Sequence, residues 1–115
     1  MMKMHGNMNI FDELKKLREK NIYIDFSHEY YSDGANCLFS INFLNTKYET
    51  GKDSDKTGWY GDNHEFGDTE DVMIKAINVA NFLISDEKYL KYYFMAVTPE
   101  SIPVKEEINK FIYNK

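Results

Sequence analysis

The chain holds one cysteine, two prolines and one arginine among its 115 residues, and each scarcity excludes something. A lone thiol, Cys37, allows no internal disulfide framework and fits a reducing compartment. No Pro- or Gly-rich linker divides the chain, and its length suits one domain with one core. No apolar run approaches the ~20 residues of a bilayer span. The opening residues Met1 to Met8 lack the apolar stretch of a signal peptide, so a cytoplasmic protein without a membrane role is expected. With Arg18 as the sole arginine, a bidentate phosphate clamp is unexpected. Gly-rich phosphate loops, serine elbows and HExxH or CxxC motifs are also missing, so neither an enzyme nor a cofactor is expected.

What is present is negative charge, unevenly spread. The net charge of −5 disfavours direct nucleic-acid binding. Residues 21–71 hold eleven acidic and three basic side chains; residues 1–20 hold five basic and three acidic, and residues 72–115 six basic and five acidic. The middle segment therefore carries −8 between two mildly basic flanks.

Periodicity supplies the elements. Asn9 caps a first helix, with Asp12 three positions on, Ile10, Leu14 and Leu17 on one stripe and Phe11 beside it. Lys15, Lys16, Arg18 and Lys20 suit its C-terminal end, and Asn21 closes it. From Ile22 the period becomes two: Ile22, Ile24, Phe26, His28 and Tyr30 alternate with Tyr23, Asp25, Ser27 and Glu29. A turn at Ser32 to Asn36 leads to a second strand with Cys37, Phe39, Ile41 and Phe43 inward. A polar loop, Gly51 to Gly58, precedes a third strand over Trp59 to Phe66.

Asp68 or Thr69 then starts a helix whose apolar stripe (Met73, Ala76, Ile77, Ala80, Leu83, Ile84) leaves only Lys75, Asn78 and Asn81 as a wet edge. A third helix starts after Ser85-Asp86 with Tyr89, Leu90, Tyr93, Phe94 and Val97 at helical spacing. Thr98-Pro99 stops it. A fourth begins near Ser101 with Pro103 in its first turn. The expected fold is α+β, in α-β-β-β-α-α-α order: a three-stranded antiparallel sheet with helices packed on one face. It spans 8–115 as a single domain after a flexible tail at 1–7, and Met8 offers a second start.

Several residue sets have the composition of a chemical site. Asp53, Asp55, Thr57 and Gly58 match the opening of a calcium loop, but its twelfth position is His64, Glu65 comes one residue late, and a polar hairpin loop accounts for all of them. His28, Asp62 and His64 form a transition-metal donor set if the strands bring them together. They define the alternative of a small-ligand or metal-binding protein, against which stands the commonness of exposed Asp and His on strands. Cys37 with His28 as base would make a nucleophile, but an inward strand position favours a small buried apolar residue. Tyr92 and Met95, off the main stripe of the third helix, would serve a structural oligomer. The oligomeric state is left open.

The aromatic residues Tyr23, Tyr30, Tyr31, Tyr48, Trp59 and Tyr60 all fall in the acidic segment. Tyr and Trp are favoured binding anchors, and carboxylates on strands and loops can occupy the positions phosphates take on a basic channel. The expected partner surface comprises Tyr48, Asp53, Asp55, Trp59, Tyr60, Asp62, Glu65 and Glu70, facing a protein with a basic surface. The competing account is that the acids serve solubility alone.

With Met8-Asn9-Ile10, Asp12 and Leu14 opening a short basic helix, an acidic three-strand region and an apolar helix introduced by Glu70-Asp71-Val72, the chain resembles the small acidic anti-CRISPR proteins of phages and mobile elements. The resemblance covers residues 8–84; the helices after Ser85 are an extension. It implies a protein inhibitor in the host-cell cytoplasm that fills the cleft where a CRISPR effector nuclease reads its PAM duplex, using carboxylates as phosphate surrogates. Asp53, Asp55, Asp62, Glu65 and Glu70 are the acidic positions it carries over. The αβββα order also resembles double-stranded RNA-binding domains, but those need basic loops and a basic helix start where this chain has Asp53, Asp55, Glu70 and Asp71.

Overall fold

The computed structural model describes residues 9–31, 34–43, 60–62, 66–93 and 97–113. The expected tail at 1–7 and the polar loop at 51–58 lie outside them.

Helix α1 (Ile10–Glu19) begins where the sequence places a cap: Asn9 is extended and its Oδ1 accepts the Asp12 N–H at 3.1 Å. That bond satisfies one of the donors a helix start leaves open. The helix ends at Asn21, which takes φ 63°, a left-handed conformation asparagine tolerates, and donates its N–H to the Arg18 carbonyl at 2.9 Å. Leu17 is buried and Ile10 and Leu14 pack against the core. Phe11 falls off that stripe and is 80% exposed.

Strands β1 (Ile22–Tyr31) and β2 (Gly34–Phe43) form an antiparallel ribbon in unbroken register from Ile22↔Phe43 to Tyr31↔Gly34. The expected five-residue turn at Ser32 to Asn36 is therefore shorter. Gly34, Ala35 and Asn36 pair with Tyr31, Tyr30 and Glu29, so the ladder runs on to the last residues before the reversal. Ile22, Cys37, Phe39, Ile41 and Phe43 are buried on the inward face; Ile24 and Phe26 are half-buried. None of Tyr23, Asp25, Ser27, Leu38, Ser40 and Asn42 on the other face is buried.

A three-residue segment, β3 (Tyr60–Asp62), pairs antiparallel with the other edge of β2 through Ser40↔Tyr60, Phe39↔Gly61 and Leu38↔Asp62. The strand expected over Trp59 to Phe66 does not reach Phe66, which is helical. That ring lies 6.2 Å from Phe39, and the chain already turns there toward the next helix. Trp59 and residues 63–65 lie outside the described residues.

Helix α2 (Thr69–Ile84) is capped by Asp68 rather than Thr69: the Asp68 Oδ1 accepts the Asp71 N–H at 2.9 Å. Val72, Ile74, Ala76, Ile77, Val79, Ala80 and Leu83 are buried, and Asn78 and Asn81 are exposed. Complete burial of each larger aliphatic side chain contributes roughly 1.5–3 kcal/mol, so α2 contributes substantially to core stability, beside the buried Ile22, Phe39, Ile41 and Phe43 of the sheet. Lys75 departs from the expected wet edge. It is half-buried, with Nζ 5.1 Å from the Phe111 ring centroid and 5.7 Å from that of Phe66.

Helix α3 (Glu87–Tyr93) contributes Leu90 to the core. Val97, expected at helical spacing, is outside the helix and 72% exposed. The reason lies one residue on, where a new helix entry begins. Thr98 Oγ1 accepts the Ser101 N–H at 3.2 Å and Ser101 Oγ accepts the Thr98 N–H at 2.8 Å, a reciprocal box that starts the turn into α4 (Ile102–Tyr113). Pro99 directly after Thr98 needs no N–H partner there. In the last helix Ile108 and Ile112 are buried, and Phe111 stacks on Phe82 at 4.1 Å and 7°. No helix among the described residues is long and apolar enough to cross a membrane.

Candidate functional site

The pleat that turns Ile22, Ile24 and Phe26 inward leaves Tyr23, Asp25 and Ser27 on the opposite face of β1. Register sets them against Asn42, Ser40 and Leu38 of β2. On the far edge of β2, Tyr60 stands opposite Ser40 and Asp62 opposite Leu38. Two transverse rows result, Asp25–Ser40–Tyr60 and Ser27–Leu38–Asp62, with strands about 4.8 Å apart. Asn42 Nδ2 donates to the Asp25 Oδ2 at 3.0 Å, which orients that exposed carboxylate. The Arg18 guanidinium carbon lies 6.0 Å from the Tyr23 ring centroid, so the lone arginine marks the α1 side of this face.

Of the residues expected on the partner surface, Tyr60, Asp62 and Glu70 fall within the described residues. Tyr60 and Asp62 share the outward face by register. Glu70 is exposed in the first turn of α2 next to Asp68 and Asp71, a position the positive end of the helix dipole already favours. Tyr48, Asp53, Asp55, Trp59 and Glu65 lie outside the described residues. Tyr23, one of the six aromatic candidates, joins the face, as do Asp25 and Asn42, which were not among the expected contact residues; their phase in the strand alternation was the available signal.

Register also bears on the metal alternative. His28 stands opposite Cys37, in the inward phase, whereas Asp62 stands opposite Leu38, in the outward phase. The ribbon therefore puts His28 and Asp62 on opposite faces, and His64 lies outside the described residues. Among the described residues no three His, Cys, Asp or Glu side chains gather to hold a metal ion.

The same pairing makes His28 and Cys37 direct cross-strand partners, but Cys37 is fully buried and that burial pushes its thiol pKa up. A nucleophilic thiolate needs the opposite shift. Tyr92, the described member of the expected oligomer pair, is half-buried, and Met95 lies outside the described residues. What the outward face offers chemically is hydrogen-bond acceptors, negative charge and aromatic positions. No protein-family model, no curated protein and no solved structure matches this chain.

Proposed function

We propose that this chain is a non-enzymatic inhibitor or interaction protein. It docks a partner with a basic, nucleic-acid-binding surface, such as a CRISPR effector nuclease, and keeps nucleic acid out by occupying its site. The observation that carries this reading is the juxtaposition of Asp25 and Tyr23 with the register positions of Tyr60 and Asp62 on one face. In this reading the sheet is three-stranded with Tyr60–Asp62 as the centre of its third strand, helices cover its other face, and Tyr48, Asp53, Asp55, Trp59 and Glu65 extend the docking surface. Carboxylates there take the places of phosphates, and the −8 of residues 21–71 speeds encounter with a basic cleft.

The test is displacement. Purified chain is titrated into a CRISPR effector nuclease loaded with its guide, and retention of a target DNA duplex is read by gel shift. Loss of DNA binding at stoichiometric chain supports the proposal. Full DNA binding at large excess, with no complex by size-exclusion chromatography, rejects this partner.

A further inference from the structure

Helix α2 packs on the sheet and also on α3 and α4, which makes it the middle layer of the described fold. The attachment of the two outer helices converges on one side chain. The Phe82 ring stacks on Tyr89 of α3 at 4.3 Å and on Phe111 of α4 at 4.1 Å. Two near-parallel rings that close must take opposite faces of Phe82, so α2 supplies the middle ring of a three-helix stack. Tyr89 also donates to Glu107, which ties α3 to α4, and Lys75 of α2 holds the Phe111 carbonyl oxygen.

We infer that α3 and α4 open from α2 together, as one unit, while the sheet, α1 and α2 stay folded. The outer pair is lightly embedded: its buried apolar side chains among the described residues are Leu90, Ile108 and Ile112, whereas Lys88, Lys91, Glu106 and Lys110 are exposed. With 7 and 12 residues, α3 and α4 are at or below the length at which an isolated helix is marginal in water, so each unravels once it leaves α2. Both follow Ile84 in chain order, and the unit therefore detaches without unthreading any other element. Opening separates Phe82 and Lys75 from their partners and gives that side of α2 to solvent. A molecule that binds only the closed or only the open form shifts the balance between them. The inference is independent of the proposed nuclease partner, since it uses only the contacts between helices.

Hydrogen exchange of the full chain, read by mass spectrometry over peptides from α3, α4 and the β1–β2 ribbon, tests it. In the wild-type chain α3 and α4 are expected to share one protection factor, lower than that of the ribbon. Phe82→Leu removes both stacks and should speed exchange of α3 and α4 by the same factor, roughly tenfold or more. Ile41→Val trims a buried side chain of β2, which stays folded whether the outer pair is closed or open. It should speed exchange of the ribbon roughly two- to tenfold and leave α3 and α4 unchanged. Different factors for α3 and α4 in Phe82→Leu overturn the inference. So does an Ile41→Val chain in which all three segments speed up alike, which marks a single cooperative unit.

Discussion

Lys75 Nζ donates to the carbonyl oxygen of Phe111, 36 positions away, at 2.8 Å while lying near that residue's ring. Phe111 belongs to the last turn of α4, where carbonyls have no partner within the helix. One ammonium from α2 thus closes the end of α4 and sits against the faces of Phe66 and Phe111, although burial pushes its pKa down. Lys75→Met retains an unbranched apolar stem and removes the donor. It should cost about 1–2 kcal/mol, seen as a melting temperature lower by roughly 4–8 °C per kcal/mol.

Tyr89 ties α3 to α4 through its hydroxyl, which donates to Glu107 Oε1 at 2.9 Å, while its ring stacks on Phe82 at 4.3 Å. The hydrogen bond to the Glu107 carboxylate raises the phenol pKa above its ordinary 10.0. A folded-state pKa raised above the unfolded value gives a stabilisation complete below the unfolded pKa and lost as pH rises through the folded one. Tyr89→Phe keeps the stack and loses this contribution. The melting-temperature gap between wild type and Tyr89→Phe should be steady through neutral pH and shrink above about pH 10.

Gly67 precedes the cap of α2 with φ 111°, and a Cβ there would stand 2.7 Å from Asp71 Oδ2. Gly67→Ala combines a disfavoured backbone with that collision. Urea denaturation should show a loss of about 1–3 kcal/mol.

Ser101 is fully buried, accepts from the Thr98 N–H and donates its hydroxyl to the Thr98 carbonyl oxygen at 3.0 Å. Ser101→Ala leaves that N–H without its acceptor at the start of α4 and should cost about 1–2 kcal/mol. Thr98→Ser keeps the reciprocal oxygen, so equilibrium unfolding should show a much smaller change.

Features governed by near neighbours were readable in the sequence. The Asn9 cap is a bond across three residues, and the Cys37, Phe39, Ile41, Phe43 alternation follows from the pleat. The reciprocal Thr98–Ser101 box is equally local, but it competes with the helical spacing that assigned Val97 to α3, and the new turn won. Lys75 was not readable, because periodicity shows which face of α2 lacks apolar residues but not which rings a distant helix brings over it. The outward face was readable only by phase: alternation separates Tyr23 and Asp25 from the core, but only cross-strand register sets Tyr60 and Asp62 beside them and moves His28 to the other side.

The central claim is that acidic side chains of the outward face and the adjoining segment drive docking to a basic partner. Its most direct test is the affinity for a guide-loaded CRISPR effector nuclease, measured across a salt series for wild type and for Asp53→Asn, Asp55→Asn, Asp62→Asn and Glu65→Gln combined. The account predicts wild-type affinity that falls as salt rises, and a variant that binds at least about tenfold more weakly with a flatter salt dependence. Equal affinity and equal salt dependence in the two proteins would contradict it.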